Sequence, residues 1–240
     1  MPEEINRVVA DSLAALLFCP TPVSAANLAR EGITAGVHVV GDVMYDAVLE
    51  AADRAMTLQA GLLDSLGVTP GGYLLLTIHR PANTDNPVRL AGIVDALNAL
   101  AEPVVFPVHP RTARALAALD RPFAPHVQPI PPVGYLAMIA LERNARLILT
   151  DSGGVQKEAY WLAVPCVTLR EETEWVETVE VGWNTLVGAD AALIEVALKA
   201  PPPAGVPPQL YGDGTAGVQI ADIIADMVAG MSHGFEKGTL

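Results

Sequence analysis

From residue 73 to residue 187 the chain alternates short apolar runs with stretches of helical periodicity, and no other feature narrows the fold as much. The runs are residues 73–78, 104–108, 127–130, 146–149, 166–169 and 185–187, and helical patterns fall between them at about 87–101, 111–119, 133–142, 153–163 and 174–181. Short apolar strands alternating with helices of this length imply βαβ units. The expected class is therefore α/β, a parallel sheet with helices on both faces. Ligands of such sheets sit at the carboxyl ends of the strands. Those ends carry His79-Arg80, His109-Pro110, Pro131-Pro132 and Ser152-Gly153-Gly154. Polar and special residues coincide at all four, which points to one cleft.

The flanks are less regular. Residues 3–17 read as a helix whose apolar face is Ile5, Val8, Val9, Leu13 and Leu16. A strand at 16–19 ends at Pro20-Thr21-Pro22; a helix at 24–31 and a strand at 37–40 follow. A long helical pattern then runs from 44 to 66 and stops at Gly67. Two short strands at most fall in these first 66 residues, too little sheet to cover the helices around them. The proline-rich stretch 201–208 is a stiff linker, 216–231 is an amphipathic helix, and 232–240 reads as frayed. No internal repeat is found.

Composition removes several function classes. With 51% hydrophobic and 17% charged residues in a 240-residue chain, core material is ample, and long disorder is not expected. A net charge of -13 argues against a nucleic-acid binder. It leaves a nucleotide ligand open, because backbone N–H groups and a few cations suffice locally. Cys19 and Cys166 lack metal-ligand spacing and read as small buried hydrophobes of a reducing compartment. No run approaches the ~18 apolar residues of a membrane span, and the acidic start MPEEINR has no signal-peptide character. A cytoplasmic protein with no membrane partner is expected.

Residues 147–158, LILTDSGGVQKE, carry the strongest chemical hint. An apolar strand runs into Ser152-Gly153-Gly154 at the start of a helix. Unpaired N–H groups and the helix dipole favour an anion there. Glycine permits close approach and Ser152 offers a hydroxyl. Glu158 follows about one turn later, suited to accept hydrogen bonds from a ribose diol. On pattern alone this is either a nucleotide-phosphate site or a plain glycine turn between strand and helix.

The motifs as a set resemble the UDP-N-acetylglucosamine 2-epimerase family. They are Pro2-Glu3-Glu4-Ile5-Asn6-Arg7, Thr77-Ile78-His79-Arg80 with Asn83-Thr84-Asp85, Pro107-Val108-His109-Pro110, Thr150-Asp151-Ser152-Gly153-Gly154-Val155-Gln156-Lys157-Glu158-Ala159, Arg170-Glu171-Glu172-Thr173-Glu174-Trp175 and Tyr211-Gly212-Asp213-Gly214. The resemblance implies two Rossmann-like domains of GT-B type, of which this chain looks like the later part, and so implies that this chain alone binds UDP weakly and is weakly active or inactive as an epimerase. Residues 1–41 would be a remnant of the N-terminal domain, 42–214 the UDP-binding domain, and 215–240 a helix packing back on the first. It further implies an epimerase that eliminates UDP to a 2-acetamidoglucal and adds it back on the other face of C2, the non-hydrolysing type, with the hydrolysing type, in which water is added and UDP released, as the alternative. UDP-N-acetylglucosamine or UDP is then the ligand and a homodimer the assembly, with no cofactor and no metal.

Residue by residue, Glu3 matches the family's acid/base carboxylate and His79 the active-site histidine assisting departure of the diphosphate. His109 matches a histidine on the nucleotide side; Ser152, Gly153 and Gly154 the diphosphate turn; Glu158 the ribose carboxylate. Without the resemblance, Glu3 reads as an acid complementing a helix dipole, and His79 as a hydrogen-bonded rim residue. Arg80 and Arg170 are phosphate cations or solvated surface groups in equal measure. His38 and His126 read as surface residues, and Trp161, Trp175 and Trp183 as core. Three positions depart from the family pattern: Ala82 for a glutamate, Ala163 for a glycine, and Trp175 where many members carry arginine. Missing partner elements imply an N-terminal segment that self-associates, rearranges or is disordered. Two other classes compete: a stand-alone UDP-sugar binding domain, and a GT-B glycosyltransferase that would transfer sugar without exchanging the C2 proton.

Overall fold

A computed structural model describes residues 2–236, with side chains described for 4–230. In chain order the elements are α1 (Pro2–Leu13), β1 (Leu17–Cys19), α2 (Pro22–Arg30), β2 (Val37–Val39), α3 (Val43–Leu58), α4 (Leu62–Leu66), β3 (Leu74–Thr77), α5 (Pro81–Thr84), α6 (Pro87–Asn98), β4 (Val104–Pro107), α7 (Pro110–Leu119), β5 (Val127–Ile130), α8 (Tyr135–Asn144), β6 (Leu147–Thr150), α9 (Gly153–Trp161), β7 (Cys166–Thr168), α10 (Val176–Glu180), β8 (Asn184–Leu186), α11 (Ala191–Lys199) and α12 (Ala216–Glu236). They form two compact units, one of residues 1–49 with 209–240 and one of 50–208.

The larger unit is built on six parallel strands in the order β5-β4-β3-β6-β7-β8. Numbered within the unit, that order is 3-2-1-4-5-6, the Rossmann arrangement, whose ligand crevice lies where the order reverses. Here the reversal falls between β3 and β6, paired from Leu74↔Leu147 to Thr77↔Thr150. Both are apolar on successive residues because both faces are covered. Leu74, Leu76, Leu147 and Leu149 face one core layer with Ile93 and Leu97 of α6 and Ile194 and Leu198 of α11. Leu75 and Ile148 face the other, with Leu141 of α8 and Val155 and Ala159 of α9. The period-two split sets which strand ends meet at the crevice. Pro129 interrupts β5, which is tolerated because β5 is an edge strand.

The smaller unit pairs β1 with β2 in parallel, Leu17↔Val37 to Cys19↔Val39. Leu28 of α2 packs on Leu17 and Cys19. The Asp46 carboxylate accepts the backbone N–H groups of Ala216 and Gly217 and so caps α12. Gly41 and Gly212, both at positive φ, come so close that a Cβ on Gly212 would lie 2.9 Å from the Gly41 Cα. Ile5, Val8, Val9 and Leu13 of α1 are exposed. A groove of about 890 Å³ lined by Arg7, Asp11, Phe18, Asn27 and Arg30 lies beside them.

Some sequence expectations need correction. The helix expected over 44–66 is two helices, broken at 59–61, where Gly61 precedes α4. The helix α11 was not expected; its nearly continuous apolar run hides the periodicity, although Asp190 caps it through the N–H groups of Ala192 and Leu193. The last helix continues to Glu236, beyond the expected end at 231, and 237–240 lie outside the described residues. Both cysteines are buried and unpaired. Among the described residues no helix is long and apolar enough to cross a membrane.

Candidate active site

At the order reversal the two central strands are tied by their last side chains, Thr77 Oγ1 and Thr150 Oγ1 being 2.6 Å apart. The next residue after β6, Asp151, is completely buried. Its carboxylate accepts the backbone N–H of His79 at 3.0 Å, that of Arg80 at 3.0 Å and the amide of Asn83 at 3.0 Å. His79 Nδ1 adds a fourth contact, 3.2 Å from Asp151 Oδ1. Burial by itself would raise this carboxyl; the donors from His79, Arg80 and Asn83 outweigh it and hold the group below the usual aspartate range. Asp151 thus folds the loop after β3 around itself. With its Nδ1–H given to Asp151, His79 keeps Nε2 as its second exchangeable position.

Ser152 caps α9, its Oγ accepting the N–H of Val155 at 3.4 Å, while its own N–H is taken by Thr150 Oγ1 at 2.9 Å. Capping uses a lone pair of the hydroxyl and leaves its proton available to an acceptor. Trp175 Nε1 donates to the Gly153 carbonyl at 2.8 Å and pins the turn from the far side. A Cβ built on Gly153 would lie 3.7 Å from an Arg80 guanidinium nitrogen and 3.6 Å from a Glu174 oxygen. Arg170 pairs with Glu174 at 2.8 and 2.9 Å, and the Arg170 hydrogen bonds draw that carboxyl down to about 2. A helix start with the Arg80 guanidinium beside it is suited to a diphosphate, and Arg170 holds the Glu174 carboxylate that lies equally near.

His109 is the N-cap of α7, its Nδ1 accepting the N–H of Arg111 at 3.2 Å. Its ring centroid stands 6.4 Å from that of His79. Glu158 is buried in the second turn of α9. Burial raises its carboxyl above the usual glutamate range, against the opposing pull of the Tyr135 hydroxyl, the Glu142 carboxyl and the Lys157 charge. Lys157 beside it lies 4.1 Å from the centre of the Trp175 ring and 5.3 Å from that of Trp161, a cation–π contact on each side.

Of the residues singled out in the sequence, His79, Arg80, His109, Ser152, Gly153, Gly154 and Glu158 follow β3, β4 and β6 or lie in the first turns of α9, and Arg170 follows β7. Glu3 falls within α1, and its side chain lies outside the described residues. Two smaller expectations change. His126 is half-buried with Nε2 3.0 Å from the Leu97 carbonyl, and of the three tryptophans only Trp183 is a core residue. Asp151, Asn83, Tyr135, Glu142 and Lys157 had no assigned role in the sequence reading. A signal for Asp151 existed: a lone acid closing an apolar strand needs local donors to be buried. Tyr135 and Glu142 give none, since they join the site through α8.

A family model described as UDP-N-acetylglucosamine 2-epimerase matches residues 1–225. A UDP-N-acetylglucosamine 2-epimerase homolog of Methanococcus maripaludis is 46% identical over 233 residues, covering 95% of this chain and 65% of its own. A UDP-2,3-diacetamido-2,3-dideoxy-D-glucuronate 2-epimerase of Pseudomonas aeruginosa is also 46% identical, covering 95% and 64%. Among solved structures, the Methanocaldococcus jannaschii UDP-GlcNAc 2-epimerase in complex with UDP-GlcNAc and UDP superposes with a TM-score of 0.82 at 38% identity, covering 94% of this chain and 65% of that one. The chain thus spans about two thirds of the length of these relatives.

Proposed function

This chain belongs to the UDP-N-acetylglucosamine 2-epimerase family, and we propose on that premise that its six-stranded unit binds the UDP moiety of a UDP-N-acetylhexosamine. The observation that carries the reading is one cluster at the sheet's order reversal: the capped start of α9, the Asp151-held His79, and Glu158 one turn beyond. The N–H groups at Ser152-Gly153-Gly154 and the Ser152 hydroxyl hold the diphosphate, with Arg80 and Arg170 as the neighbouring cations. Glu158 accepts the ribose hydroxyls, and His109 lines the nucleotide side. His79, oriented by Asp151, assists departure of the diphosphate by charge or by proton donation.

The reaction proposed is interconversion of UDP-GlcNAc and UDP-ManNAc. The C2 proton has no adjacent carbonyl, so UDP leaves first: the C1–O bond breaks as C2 loses its proton, giving a 2-acetamidoglucal. UDP re-adds at C1 as C2 takes a proton on the opposite face. Glu3 is the proposed acid/base for that proton. A homodimer in the cytoplasm, feeding cell-surface polysaccharide synthesis, completes the proposal.

Titration calorimetry with UDP tests the site. Ser152→Ala and Glu158→Ala each weaken binding roughly tenfold, as expected for one charge-assisted or buried hydrogen bond; unchanged affinity in both overturns the assignment. Deuterium entering C2 from solvent tests the chemistry and separates epimerisation from glycosyl transfer. A second reading is favoured by the Pseudomonas aeruginosa relative, whose name specifies a 2,3-diacetamido uronate. Assaying both nucleotide sugars decides between them.

A further inference from the structure

Behind Glu158, on α8, stands Glu142, completely buried although it carries a carboxyl group. Among the described residues no donor reaches either of its oxygens. What it faces is the buried Glu158 carboxyl, the group that acts on it most strongly after burial itself. Two facing buried carboxyl groups, one of them without any donor, are relieved when one carries a proton that it can give to the other. Two anions at this separation in a buried setting would repel strongly.

The asymmetry of the surroundings says which acid keeps the proton. Glu158 receives the Tyr135 hydroxyl and feels the Lys157 charge. Glu142 has Tyr73 and Cys166 near it. The Tyr73 hydroxyl is committed to the Leu141 carbonyl, and Cys166 sits by Thr168 at 3.8 Å. Neither supplies a positive charge. Glu142 is therefore the neutral acid and Glu158 the anion.

We propose that Glu142 is a positioning residue of the nucleotide site: as a neutral acid it donates to Glu158, fixing that carboxylate in the anionic state and orientation a ribose diol needs. This rests on the reading of Glu158 as the ribose carboxylate. Burial pushes the Glu142 carboxyl well above the usual glutamate range, the direction a donor needs. Its direction of action on Glu158 is fixed as well. A donated hydrogen bond stabilises the anion, so removing it raises the pH at which Glu158 takes up a proton. Nucleotide binding then starts to fail at higher pH as the solution is acidified.

The test is calorimetric titration of the 240-residue chain with UDP across pH, for wild type, E142Q, E142L and E158Q, with circular dichroism verifying the fold of each. E142L is expected to bind roughly tenfold more weakly at neutral pH, with its acid limb displaced upward by about one pH unit, the worth of one hydrogen bond to a charged group. The glutamine amide still donates, so E142Q retains most of the affinity and the wild-type acid limb. An infrared band of a buried protonated carboxyl, present in wild type and lost in E142Q, reports the proton without any nucleotide. An E142L profile superposing on wild type while E158Q is weakened overturns this inference and leaves the function reading standing. E158Q binding like wild type overturns both. A wild-type spectrum without the band overturns the proton assignment whatever the affinities are.

Discussion

Single residues decide more here than their chemistry alone suggests. Ala163 follows the end of α9 at φ 55, in the left-handed region. Its N–H bonds to the Tyr160 carbonyl and that of Val164 to the Ala159 carbonyl, the paired bonds of a Schellman cap, where glycine is the usual occupant. The family pattern has glycine here, and this chain bears the steric cost of a Cβ. Ala163→Gly is expected to raise unfolding free energy by about 0.5 to 1 kcal/mol, the left-handed penalty less the extra chain entropy of glycine. Thermal melts of the two proteins measure it; no gain means the cap tolerates Cβ without strain. Asp151 acts in the opposite sense. Its carboxyl is depressed in the fold, so its contribution is present above the unfolded value of about 4 and is lost as pH falls through the lower folded value. Asp151→Ala leaves the His79 and Arg80 N–H groups without their acceptor and is expected to cost about 3 kcal/mol. Denaturant melts from pH 7 down to pH 3 should show the difference between the two proteins narrowing in acid; a gap that stays constant is the contrary result.

At the scale of elements, what the sequence disclosed and what it concealed have physical causes. All six strands of the larger unit were legible, because runs such as 74–77 and 147–150 are apolar on both faces and end at polar residues. The start of α9 was legible too, since serine and two glycines after a strand have few other uses. What escaped is contact across distance in sequence. Nothing in residues 135–142 announces that Tyr135 and Glu142 back Glu158, and nothing in residue 175 announces a hydrogen bond to Gly153. That bond makes a prediction about the element it holds. Trp175→Phe keeps a smaller aromatic ring beside Lys157 and removes the Nε1 donor to the Gly153 carbonyl. The turn before α9 then loses its outer tether, and UDP affinity should fall about fivefold, the equivalent of one hydrogen bond near 1 kcal/mol. Calorimetry checks this, and an affinity equal to wild type shows that the turn is held by Ser152 alone.

For the whole molecule, the two compact units differ in how much sheet each owns. The unit of residues 50–208 buries six paired strands between two helix layers. The other has one pair of three-residue strands and a small apolar cluster on Leu17, Cys19 and Leu28, with the apolar face of α1 exposed. Two short strands are marginal by themselves, and local opening energies follow the apolar contacts and paired backbone available. Hydrogen exchange followed by mass spectrometry should therefore find β1, β2 and α2 exchanging well before β3, β4 and β6. Added UDP should slow exchange at the loop after β3, at the start of α9 and in α8, because a ligand stabilises the conformations it contacts by RT ln(1 + [L]/Kd). Equal protection of both units without nucleotide would show that something other than sheet content stabilises residues 1–49. Protection by UDP confined to 1–49 and 209–240 would move the nucleotide site out of the six-stranded unit altogether. The contrast matters because the proposed division of labour assigns phosphate and ribose to the six-stranded unit. It leaves the proton at C2, in the proposal, to Glu3 of the unit with less sheet.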